Sequence, residues 1–267
     1  VLFDEADNFL AADLKSEFRE VSRLKRVMDD TDRRFKVVLA GLHNVQRYHH
    51  TPNQPFAGLE QLTINPLGPR AAKDLVQGPI EALGFRFPDD DDTPVYSILA
   101  YTNYHPGLIQ LFCHHLLTLM NRKPVNGLDT IPITLEDVET VFRQVDVQKE
   151  IRHRLDWTLD LDDRYRALAY MIVLDQTSGL RHSESGYSYN INSLLDMARA
   201  GWPAAFSETE QDEFQMCLDE MVGLGVLVRG ATDTYRLRSP NLIRLMGRHD
   251  DIKRRLEAQT QRSPTTS

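Results

Sequence analysis

Apolar positions fall into two kinds of pattern along this chain. Residues 1–3 and 35–39 (Phe-Lys-Val-Val-Leu) are short β-branched and aromatic runs of the kind that form buried strands. Between them, Asp13 to Met28 reads as a helix, with Leu14, Phe18, Val21, Leu24 and Met28 on one face. Strand, helix, strand in this short a span predicts a βαβ unit with parallel strands. Residues 42–62 read as a loop, broken by Asn44, His49, His50, Thr51, Pro52, Asn53 and Pro55.

From Pro66 to about Phe142 the pattern is helical with punctuation. One helix is predicted over Arg70–Leu83, with Gly84 as its C-terminal cap and Pro79 expected to break or kink it. Asp89–Asp92 reads as a solvated loop and Pro94–Thr102 as a short helix. Pro106 opens a strongly apolar helix carrying Leu108, Ile109, Leu111, Phe112, Leu116 and Leu119. Thr134-Leu-Glu-Asp caps another, running to about Val145. Further on, helices are predicted over Asp162–Leu174, Asn192–Ala200 and from Ser207 through Val222. Val226–Arg229, a Gly/Asp turn and Thr234–Arg238 then read as a β-hairpin. Three helices and a terminal hairpin predict a winged-helix domain. Pro240–Met246 is read as a closing helix and the mixed-charge tail as frayed.

Composition narrows the class. With 267 residues, 41% hydrophobic and 26% charged, the chain is of ordinary globular type, long enough for more than one core. No apolar run approaches the roughly 18 residues of a membrane span, so no membrane partner is expected. A net charge of −8 lowers the expectation of a dedicated nucleic-acid binder. The two cysteines, Cys113 and Cys217, sit in apolar helical patterns; they suit a reducing, cytoplasmic setting and a packing role. His114 and His115 are adjacent on a helix, which is a poor geometry for clamping a metal.

The candidate chemistry lies at the start. Three apolar residues followed by Asp4-Glu5 form a Walker-B-like strand end, delivering Asp4 to the Mg²⁺ of a bound nucleotide and Glu5 to the attacking water. The next strand ends in Ala40-Gly41-Leu42-His43-Asn44, where a polar side chain would feel the γ-phosphate. Asn44 is the first choice, because an amide both donates and accepts, and His43 the second. Arg47 follows as a phosphate or inter-subunit contact. Asp4-Glu5-Ala6-Asp7 also spells a helicase motif, but the Ser-Ala-Thr that a helicase needs after the next strand is replaced by Ala40-Gly41-Leu42.

These residues resemble a known family. Val1–Asp7 resembles Walker B of AAA+ ATPases, and more narrowly of their STAND and origin-initiator branches; Val38–Arg47 resembles their sensor 1 strand and loop. Leu62–Leu67 followed by Ala71–Ile80 is similar to the beginning of their helical lid, and Thr102–Gln110 to the start of the last lid helix. The resemblance implies an ATPase-family member using ATP/ADP and Mg²⁺, with Pro106 and, beside it, His105 touching the nucleotide. The absence of an arginine there favours the STAND-like branch. Leu237-Arg238-Ser239 stands where that branch carries Met-His-Asp after the hairpin, so Arg238 is matched to the ADP contact, a guanidinium suiting a phosphate. One departure is large: no Gly-x-x-x-x-Gly-Lys-Ser/Thr loop occurs, so the cradle for the phosphates is missing. With no Met before Val1, the chain reads as entered within a domain, the P-loop being expected upstream.

The expected fold is therefore mainly α with a small α/β portion: a C-terminal remnant of a P-loop NTPase core over 1–60, a helical lid over 61–150, a winged-helix domain over 151–247 and a flexible tail over 248–267. The expected function is a nucleotide-dependent switch ATPase lacking Walker A and inactive alone, with protein partners or self-association through flanking domains. The alternative is a non-enzymatic winged-helix interaction or DNA-binding module. The stretch Glu208–Met221 holds six acids and no Lys or Arg, which argues against docking in a major groove and leaves Arg229, Arg236 and Arg238 of the hairpin.

Overall fold

In the computed structural model, residues 1–42, 60, 62, 64, 66–123, 130–178 and 188–261 are described. They are mainly helical, with three small sheets. Strand β1 (Leu2–Phe3) pairs in parallel with β2 (Val38–Leu39), Leu2 opposite Val38 and Phe3 opposite Leu39. The second strand is thus shorter than the run 35–39 that predicted it.

The single helix expected over residues 13–28 is two, α1 (Ala6–Leu14) and α2 (Arg19–Asp30). Glu17 and Phe18 turn into the left-handed region (φ 55° for both) and the chain reverses there. The buried carboxylate of Asp13 drives the break. It accepts from the backbone N–H groups of Glu20 (3.0 Å) and Val21 (2.9 Å) and from Ser16 Oγ (3.0 Å), serving orphan donors at the start of α2. The apolar stripe continues across the break because Phe18 and Val21 join Ala6 and Leu10 in a small core against Phe3, Phe9 and Leu39. Phe3 and Phe9 stack at 5.6 Å.

The rest shares one larger core. Helix α3 (Pro69–Ala82) is not broken at Pro79; the Leu75 carbonyl loses its helical donor, and Ala72, Val76 and Ile80 still bury one face. Gly84, at φ 86°, ends it as predicted. Strand β3 (Phe85–Arg86) pairs in parallel with β4 (Ile131–Pro132). Helices α4 (Thr93–Tyr101), α5 (Pro106–Met120) and α6 (Leu135–Phe142) pack around them. Thr134 and Asp137 form a reciprocal capping box on α6.

Helix α6 stops three residues before the predicted Val145, and a helix not read in the sequence follows, α7 (Val145–Leu159). It spans the domain boundary expected at residue 150. The same buried cluster extends from Ala72 to Ile252, so no break in packing marks that boundary. Helix α8 (Asp163–Thr177) is buried on nearly every side and forms the axis of the C-terminal half. Its N-terminus carries the buried ion pair Asp162–Arg164 (2.8 Å), which Glu213 extends (3.0 Å from Arg164). Around it lie β5 (Tyr189–Asn190), α9 (Ile191–Gly201), α10 (Pro203–Phe206), α11 (Gln211–Gly223), β6 (Leu227–Arg229) and β7 (Thr234–Leu237). The predicted hairpin forms, and β5, hidden at the end of a Gly/Ser/Tyr stretch, adds a third antiparallel strand in the order β5-β7-β6.

After α12 (Asn241–Met246) the first part of the expected flexible tail is instead a helix, α13 (His249–Thr260), packed on α8, and residues 262–267 lie outside the described residues. Ile252 and Leu256, four residues apart, supply its apolar edge; Gln259 donates to the Asp163 carbonyl at 2.6 Å and Thr177 meets His249 at 2.9 Å. No helix among the described residues is long and apolar enough to cross a membrane.

Asp13 offers a test of the N-terminal unit. Burial pulls its pKa up, but the bonds from Val21, Glu20 and Ser16 and the charge of Arg19 outweigh this and leave it below the ordinary carboxylate value. Its contribution should be fully present above about pH 4 and fade as pH falls through the lowered folded value. Asp13→Ala should cost about 2 kcal/mol locally, by leaving two amides unmet. Hydrogen exchange should show α2 losing protection while α8 keeps its own.

Candidate functional site

The site builds from a turn between α4 and α5. Asn103 (φ 53°) and Tyr104 (φ 58°) are consecutive left-handed residues. They reverse the chain so that His105 caps α5, its Nδ1 accepting from Leu108 N–H at 3.4 Å, with Pro106 in the first turn. Asn103 Nδ2 donates to the Gly225 carbonyl (2.7 Å), across 122 residues of sequence. Gly225 is itself left-handed (φ 77°), and a Cβ there would stand 3.2 Å from Pro66. Ser239 Oγ donates to the Ala100 carbonyl at 2.9 Å. Together these bonds clamp the turn to both ends of the β6–β7 hairpin.

Beside this turn lies a cleft of about 290 Å³. Its walls are His105, Pro106 and Gly107 of α5, Arg154, Trp157, Thr158 and Leu161 of α7 and the segment after it, Gly223 and Leu224 at the end of α11, and Leu42, Ile64 and Pro66. Arg154 lies over the Trp157 ring (5.1 Å to its centroid) and its Nη2 is 3.3 Å from His105 Nε2. Burial, and then the charge of Arg154, lower the His105 pKa, holding the imidazole neutral.

Of the residues read from sequence, the structure brings His105 and Pro106 into this cleft. Arg238 stands one layer behind, over the Tyr104 ring at 5.8 Å; burial lowers its pKa, and its Nε is buried without a hydrogen-bond partner. Asp4 and Glu5 lie at the exposed end of β1, outside the cleft. Asp4 accepts from Glu5 N–H (2.9 Å), and Glu5 is left-handed (φ 51°). A single carboxylate suits Mg²⁺ only where nucleotide phosphates complete the coordination; among the described residues no three His, Cys, Asp or Glu converge on a metal position. The link between the two regions is Asp7, which accepts from Leu42 N–H at 2.6 Å and so fixes a wall of the cleft to α1. His43, Asn44 and Arg47 lie outside the described residues.

Arg154, Trp157 and Thr158 were not read as site residues. The signal was present, since Arg154, Trp157, Thr158 and Leu161 repeat at helical spacing, but the adjoining face of α7 (Val147, Ile151, Leu155, Leu159) holds the core and dominates the pattern. Burial pushes the Cys113 thiol up to about 12, which disfavours the thiolate a nucleophile would need. His114 and His115 meet edge to face at 5.9 Å, with no third ligand among the described residues. No family model, curated protein or solved structure matches the chain.

The clamp is testable at Asn103. Asn103→Ala loses the bond to Gly225 and places a Cβ-bearing residue without a local amide in the left-handed region. Together these should cost about 2–3 kcal/mol. Asn103→Gly removes the conformational part and should be less destabilising by about 1 kcal/mol. Urea denaturation of both variants reads this order; equal midpoints for Asn103→Ala and the wild type would rule the clamp out.

Proposed function

We propose that the chain belongs to a nucleotide-dependent switch ATPase of STAND/AAA+ type, with residues 1–60 as part of its α/β core, 61–150 as its helical lid and 151–247 as a winged-helix domain. The observation that carries the reading is the cleft. His105 and Pro106, singled out as nucleotide contacts, line it together with Leu42 from the segment after β2, where a sensor loop would begin. Parallel pairing of β1 with β2 places Asp4-Glu5 and that segment on neighbouring strand ends. The helix and strand order of the C-terminal half, with sheet order β5-β7-β6, supports the winged-helix part.

In this reading ADP or ATP occupies the cleft in contact with His105 and Pro106. Asp4 ligates Mg²⁺, which neutralises phosphate charge; Glu5 orients water, Asn44 senses the γ-phosphate and Arg238 serves the phosphates. The alternative, a DNA-binding module, draws less support. Helix α11 carries Asp212, Glu213, Asp219 and Glu220 with no Lys or Arg. Arg229 is paired with Asp233 (2.9 Å) and Asp219 (3.4 Å), and Arg238 is packed on Tyr104, which leaves Arg236 exposed on the hairpin.

Fluorescence provides the test. Of the two tryptophans, Trp202 is buried and Trp157 is 56% exposed at the cleft. ADP should change Trp157 emission saturably. Pro106→Asp, which retains a favourable first-turn residue for α5 but sets a negative charge in the cleft, should weaken the effect by about tenfold or more. No saturable response to ADP at millimolar concentration would overturn the reading. Because these 267 residues hold no P-loop, steady-state ATP hydrolysis should stay at background; a clear rate that disappears in Glu5→Gln would refute that expectation.

A further inference from the structure

His105 stands between two hydrogen-bond donors. Leu108 N–H points at Nδ1 (3.4 Å) and Arg154 Nη2 at Nε2 (3.3 Å). A neutral imidazole has one acceptor nitrogen and one donor nitrogen, so it can serve one of the two and must turn an N–H toward the other. If it caps α5, Nε2–H and the guanidinium face each other as two donors. If it accepts from Arg154, Nδ1–H faces the Leu108 amide. An acceptor is lacking in either tautomer, and protonation makes the excess larger. Arg154 Nε adds a further donor, buried and without a hydrogen-bond partner among the described residues. Among the described residues that line the cleft there is no Asp or Glu, although the chain as a whole carries a net charge of −8.

We infer that Arg154 and His105 form an oxyanion site that takes a phosphoryl group of a ligand whose apolar part lies on Trp157 and Leu161. One oxygen between the two side chains converts facing donors into two charge-assisted hydrogen bonds, and a second can serve Arg154 Nε. The remaining walls, Leu42, Ile64, Pro66 and Leu224, are apolar, as in sites that orient a mainly apolar ligand through a few polar groups. The inference rests on the nucleotide reading for the identity of the ligand. It goes beyond that reading by assigning phosphate recognition to α7, a helix to which the sequence pattern gave no role.

The test compares adenosine, ADP and inorganic pyrophosphate on the whole chain, read by Trp157 fluorescence and by NMR titration of His105, its resonance identified by loss in His105→Gln. ADP should bind at least about tenfold more tightly than adenosine. Arg154→Gln should erase that difference, and Arg154→Lys should restore part of it. ADP and pyrophosphate, but not adenosine, should raise the His105 titration midpoint by about one pH unit. ADP and adenosine binding equally, with Arg154→Gln neutral, would overturn the oxyanion site and leave the nucleotide reading standing. Pyrophosphate raising the midpoint while neither adenosine nor ADP binds would support the oxyanion site and remove the nucleotide reading. If Arg154→Gln does not fold, the wild-type titration decides, and a midpoint unmoved by any of the three probes refutes the proposal.

Discussion

The arrangement of the cleft depends on one constraint, the four-residue turn Thr102–His105. Two adjacent non-glycine residues in the left-handed region are unfavourable by roughly 1–2 kcal/mol each, so the surrounding structure must over-determine them. It does so from several sides. Thr102 is fully buried and bonds back to the Ile98 carbonyl at 2.7 Å. Asn103 holds Gly225, Tyr104 lies under Arg238, and His105 closes α5 and meets α7. Relaxing the turn would release α5, the β6–β7 hairpin and the Arg154 contact together. The Asn103 Oδ1 atom is buried without a hydrogen-bond partner among the described residues, while its Nδ2 holds Gly225.

Much of the architecture was legible from periodicity. The parallel β1–β2 pair, α3, α4, α5, the capped start of α6, α9 and the hairpin follow local patterns that tertiary packing reinforces. The errors share a cause, in that a single polar group or a thin apolar edge decided the outcome. Of the stripe expected from Leu14 to Met28, Phe18 and Val21 reach the core while Leu14 is exposed, and one carboxylate, Asp13, divides the run into two helices. Helix α13 has Ile252 and Leu256 as its apolar edge, so its charges dominated the pattern although α8 needed the cover. The two-residue strand β5 depends wholly on its partner β7.

The cleft was half legible. His105 and Pro106 were singled out by the family resemblance at the start of an apolar helix, and both line the cleft. Arg154 and Trp157 were not, because α7 serves two surfaces at once, one in the core and one facing the cleft. An arginine sought next to Pro106 in sequence is absent there, yet a guanidinium reaches His105 from 49 residues further along the chain.

The cleft also has walls tied to both of the separate buried clusters found among the described residues. The core of Ala6, Leu10, Phe18 and Val21 is small, and a two-stranded sheet is marginal on its own. Leu42 is fixed to this unit through Asp7, while the opposite walls belong to the large core around α8. A ligand held between Leu42 and Trp157 therefore touches both units, and its binding free energy contributes to how firmly they are joined. Coupling of that kind needs no long pathway, since the Asp7–Leu42 hydrogen bond of 2.6 Å ties one wall of the cleft directly to α1. The weaker unit is the one that would respond, and it is the unit that carries Asp4 and Glu5.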